Sequence, residues 1–97
     1  MKNKEEILSA LEELKEEIRR KYKVREIGVF GSIIRGEQKE TSDIDVLVDF
    51  EDGADLFDLV GLGVFLEEQL DRKVDVVSRG ALREEIKERV LKEVAYI

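Results

Sequence analysis

The chain has 97 residues, and 24 Asp and Glu against 17 Lys and Arg leave a net charge of −7. It contains no Cys, His, Pro or Trp. Disulfides, thiol nucleophiles, zinc–thiolate sites and histidine general bases are therefore excluded, and the negative balance argues against a general grip on nucleic acid. A length near the mode for one domain predicts a single unit spanning 1–97. No apolar run approaches the ~20 residues of a membrane span, and the stretch Met1–Glu6 lacks a signal-peptide core, so the cytoplasm is the expected location.

In chain order, Asn3 followed by Glu6 reads as a capping box, and Ile7, Leu11, Leu14 and Ile18 repeat at helical spacing as far as Tyr22. Glu26–Phe30 is a short strand ended by Gly31 and Ser32. The segment 33–40 has room for no more than a helical turn. From Asp43 to Phe50 the residues alternate: Ile44, Val46, Val48 and Phe50 point one way, and Asp43, Asp45, Leu47 and Asp49 point the other.

Gly53 and Asp55 break that strand and cap a helix from Leu56 to Leu70 whose apolar residues project almost all round its axis. Such a helix should be covered on two sides, either centrally within the fold or by a partner or second copy. Lys73–Val77 is a third strand. Leu82, Ile86, Val90 and Val94 then recur every four residues in a last helix that stops near Tyr96. The order of helix, strand, strand, helix, strand, helix predicts an α+β or mixed α/β sandwich with a three-stranded sheet.

Asp43 and Asp45, two apart on one strand, share a face. Two such charges about 4 Å apart would repel by roughly 4 kcal/mol at an effective dielectric of 20, and a cation removes that cost. Asp75, between valines on the next strand, is placed to join them through strand pairing. Three carboxylates suit one or two Mg²⁺ ions, which take hard oxygen ligands and usually share their coordination with substrate phosphates. Just upstream stands Gly31-Ser32, with Arg35-Gly36 three residues on. Gly31 can bring backbone N–H groups close to a phosphate, Ser32 adds a hydroxyl, the helical turn adds its positive end, and Arg35 could clamp an anion or pair with Glu37. Each feature alone is commonplace, but the joint pattern is poorly explained by chance.

At these residues the chain resembles the nucleotidyltransferase superfamily of DNA polymerase β, whose hallmark is Gly-Ser, ten residues, then Asp-x-Asp. It is more closely similar to the minimal nucleotidyltransferases (MNT), small proteins encoded beside a HEPN-type toxin. That likeness rests on Gly31–Glu37, Ser42–Val48, Lys73–Val77 and the C-terminal Arg89–Ile97. It implies the nucleotidyltransferase fold, with a metal pair on Asp43 and Asp45, Asp75 as third acid, and Gly31 and Ser32 on the triphosphate of ATP. It also implies transfer of AMP to a tyrosine of the partner toxin. Two other readings stay open. One is an antitoxin that binds and occludes its toxin with a weak or vestigial nucleotide site. The other is nucleotidyl transfer to a small molecule, for which 97 residues leave little acceptor-binding structure.

Overall fold

Asn3 starts the first helix as its spacing predicts. Its Oδ1 accepts from the N–H of Glu6 at 2.9 Å, and the Glu6 carboxylate accepts in return from the N–H of Asn3, so two of the donors left over at a helix start are satisfied. The computed structural model describes residues 3–37, 39 and 42–97. Met1, Lys2, Gln38, Glu40 and Thr41 lie outside the described residues. The expected turn within 33–40 is seen at Ser32–Arg35, and the rest of that segment falls partly outside them.

The elements are α1 (Lys4–Tyr22), β1 (Val24–Phe30), α2 (Ser32–Arg35), β2 (Ile44–Phe50), α3 (Leu56–Leu70), β3 (Val74–Ser78), a 3-10 turn at 79–81, α4 (Glu84–Glu93) and β4 (Ala95–Tyr96). The sheet runs β3-β2-β1-β4. Its β2/β3 pairing is parallel and the other two are antiparallel.

The fourth strand corrects the expected three-stranded sheet and shortens the last helix. Val90 and Val94 keep the helical spacing of four, but α4 ends at Glu93 and Val94 is already extended. The outer edge of β1 would otherwise present unpaired backbone groups, and pairing Gly28 with Tyr96 and Val29 with Ala95 covers it. The Ile97 N–H extends the ladder by donating to the Ile27 carbonyl at 3.0 Å. Gly28 makes this approach possible, because a Cβ there would meet Val94 Cγ2 at 2.7 Å.

One face of the sheet packs against α1 and α3. Ile7, Leu11 and Ile18 of α1, Ile27 and Val29 of β1, Ile44, Val46 and Val48 of β2, and Leu62, Leu66 and Leu70 of α3 form one buried cluster. Burying each such side chain stabilises the fold by roughly 1.5–3 kcal/mol before entropy is counted. The opposite face is thinly covered. Leu47 and Val90 are buried outside the main cluster, and Val94 stands over Gly28.

Helix α3 begins at the expected cap. Asp55 accepts from the Asp58 N–H at 3.2 Å, and Asp58 accepts from the Asp55 N–H at 3.0 Å. That N–H is the main reason the Asp58 carboxyl lies below its ordinary pKa. The helix is not central in the fold. The main cluster takes its Leu62–Leu66–Leu70 side, and Leu56, Phe57, Val60 and Val64 are left 52–87% exposed, because no layer of the described residues lies beyond it. No described helix is long and apolar enough to cross a membrane.

Candidate active site

Strand register brings two of the three predicted acids together. In the parallel β2/β3 pair, Ile44 lies beside Val74 and Asp45 beside Asp75. Ile44 and Val46 point into the core, so Asp45 and Asp75 both stand on the thin face, at the starting ends of their strands. Asp43 precedes β2 and is exposed, while Asp45 is half-buried.

The Asp45 carboxyl is raised above its ordinary pKa. Burial is the largest cause, followed by repulsion from Asp75 and then Asp43, with Arg35 opposing them. Among the described residues no group of three or more metal-ligating side chains is already drawn round one point. The donor set still fits a hard cation: carboxylate oxygens are hard ligands, and the repulsion that Asp45 feels from Asp75 and Asp43 favours a positive charge beside them.

Gly31 links β1 to α2 and borders this cluster. Phe30 pairs with Asp45 across β1 and β2, so the next residue lies against the acid. A Cβ at Gly31 would collide with Oδ2 of Asp45, and its φ of 82° with ψ of −152° is a conformation open almost only to glycine. The residue is therefore fixed as glycine twice over, by its backbone and by its neighbour. Ser32 follows, half-buried, as the first residue of α2. This helix is a single turn of four residues, so its dipole is far weaker than that of a full helix.

Of the two roles the sequence leaves open for Arg35, the structure shows the ion pair. Its Nε donates to Glu37 at 2.9 Å, which is the local ion pair. Its Nη1 donates to both oxygens of Glu93, at 3.0 and 3.1 Å. These two carboxylates raise its pKa. The guanidinium thus sits beside the Gly31 turn, already engaged by carboxylates.

Against this geometry, the sequence matches the nucleotidyltransferase domain family over residues 11–97. The chain belongs to that family. Among its relatives, protein adenylyltransferase MntA of Thermococcus cleftensis is 48% identical over 93 residues, covering 96% of this chain and 94% of the relative. A candidate minimal nucleotidyltransferase of known structure is similar with a TM-score of 0.83 at 37% identity, over 97% of this chain and 95% of that one. A toxin–antitoxin crystal structure with AMP-PNP matches with a TM-score of 0.71 at 28% identity, over 88% of this chain and 70% of that one.

Two further residues of this nucleotidyltransferase border the site. Glu93 reaches the Gly31 turn from the C-terminal helix, accepting from the Gly31 N–H at 2.8 Å. Arg72 precedes β3, and its Nη2 donates to the Ser42 carbonyl, which pins the entry to Asp43. Ser42 in turn accepts from the Lys39 N–H at 2.8 Å through its hydroxyl. Glu93 falls within the C-terminal stretch that carries the family likeness, and this was its one available signal. Arg72 had none.

Proposed function

We propose that this nucleotidyltransferase transfers AMP from ATP to a tyrosine hydroxyl of a HEPN-type toxin encoded beside it, and so serves as that toxin's cytoplasmic antitoxin. The observation that carries the reading is the pairing of Asp45 with Asp75 against a turn that only Gly31 can make. The T. cleftensis relative is a protein adenylyltransferase, and the nucleotide in the similar toxin–antitoxin structure is an ATP analogue.

In this reading Asp43, Asp45 and Asp75 hold Mg²⁺, as one or two ions. When bound, Mg²⁺ supplies charge neutralisation on the triphosphate and on the departing pyrophosphate. The chain's own residues do the rest. The Gly31 turn and Ser32 seat the phosphates, and Arg35 holds an oxygen of the same group. The acceptor oxygen attacks the α-phosphorus, the bond from that phosphorus to the bridging oxygen breaks, and pyrophosphate leaves. In a chain without His, the hydroxyl proton passes to a carboxylate, and Asp75, the exposed member of the pair, is the one open to an incoming acceptor.

The test is the intact mass of the neighbouring toxin after incubation with this protein and Mg·ATP. A gain matching one or more AMP units supports transfer, and an unchanged mass under conditions where the toxin is neutralised overturns it.

A second reading, neutralisation by occlusion, is favoured by the bare apolar stripe of Leu56, Phe57, Val60 and Val64 on α3. It predicts that Asp43→Asn with Asp45→Asn still protects cells from the toxin at normal expression. Transfer predicts that the double variant fails.

A further inference from the structure

Glu93 is the last residue of α4, yet its carboxylate is seated in the turn where the triphosphate is placed above. One oxygen, Oε2, accepts from the Gly31 N–H at 2.8 Å, and both oxygens accept from Arg35 Nη1. The side chain is only 16% exposed. A backbone amide at a glycine turn together with a guanidinium is the donor pair that a phosphate oxygen seeks. Here an internal carboxylate, also an oxyanion, already has it.

The segment that delivers Glu93 is firmly held. Val90 is buried one turn before it, Val94 lies over Gly28 just after it, and Ala95 and Tyr96 pair with β1. The carboxylate is thus presented to the turn from a braced strap. It also adds to the negative field at Asp45. A triphosphate entering the turn meets this charge and needs the same donors.

We infer that Glu93 is an internal competitor of the triphosphate, standing in for a phosphate oxygen at Gly31 and Arg35 in the resting protein and surrendering both donors when the nucleotide binds. The inference rests on the reading that the Gly31–Ser32 turn takes a nucleotide.

It carries an expectation opposite to that of a plain structural brace. Glu93→Gln keeps the size and an acceptor for the Gly31 N–H but removes the charge, so it competes less well and repels the phosphates less. The full-length variant should bind Mg²⁺ with a non-hydrolysable ATP analogue about three- to tenfold more tightly than wild type by calorimetry, the span separating charged from neutral hydrogen bonds. Equal or weaker binding by a folded variant overturns the inference and leaves Glu93 as a brace. If neither protein binds the analogue, the nucleotide reading itself fails and takes this inference with it. A second measurement needs no variant. In wild-type protein carrying ¹³C-labelled glutamate, the Glu93 carboxyl resonance should shift on adding Mg²⁺ and the analogue, as it loses Gly31 and Arg35. An unchanged resonance at saturating analogue contradicts the exchange.

Discussion

On one face of the sheet, Ile27, Val29, Ile44, Val46 and Val48 are sealed beneath α1 and α3 at 1% exposure or less. On the other face β2 and β3 carry Asp45 and Asp75 side by side, Asp45 half-buried and Asp75 exposed. Alternation along β2 puts these two environments 3.3 Å or so apart along the chain. With the function proposed above, stability and chemistry should be separable by face: changes beneath α1 and α3 should lower stability while sparing activity per folded molecule. Changes on the acid face should do the reverse.

The largest effect on the covered side is expected for Leu62→Ala, which leaves a cavity in the main cluster. Chemical denaturation should show a loss of about 2–5 kcal/mol. Nucleotide affinity, measured where the variant is still folded, should stay near wild type, and a parallel loss of affinity would break the separation.

Gly31→Ala tests the border between the two faces. It forces a side chain into a φ of 82° and into the Asp45 carboxylate, so it should cost about 1–3 kcal/mol in backbone strain. Nucleotide affinity should fall with it. Calorimetry with the analogue that found unchanged binding would remove the turn from the phosphate site. The smallest of these effects belongs to Asp55→Ala, at the α3 cap remote in sequence from the turn. Loss of about 1 kcal/mol of stability is expected, with transfer unchanged.

Much of this architecture was legible because local signals and the final fold agree. Asp55 and Asp58 form the cap that starts α3 at the expected residue. The strict alternation of Ile44, Asp45, Val46, Leu47 and Val48 assigned each to its face, because a one-residue slip would have exposed the whole apolar set. The C-terminal strand was not legible. Val90 and Val94 continue a helical repeat, and the preference for strand at Ala95 and Tyr96 comes from the open edge of β1, far away in sequence.

The site shows the same division. Arg35 and Glu37 are two residues apart, and their contact could be anticipated. Glu93 is 62 residues from Gly31, and a glutamate among the many on helix surfaces carries no mark of what it will touch. The all-round apolarity of α3 was plain from its residues, but which side would stay bare depended on where α1 and the sheet came to rest.

The most direct test of the separation between faces is one variant measured two ways. Asp45→Asn removes a carboxylate whose pKa is raised above the ordinary 3.8, chiefly by burial and then by Asp75 and Asp43. A raised carboxyl is costlier to ionise in the folded than in the unfolded state. The penalty is therefore present in full above the raised pKa and fades as the pH falls through it. Metal-free Asp45→Asn should accordingly melt above wild type at neutral pH. That gain should shrink as the pH is lowered towards the ordinary carboxylate range, and transfer of AMP should drop on the order of 10²–10³-fold. A melting temperature that falls together with activity, or transfer that survives the substitution, would contradict the account.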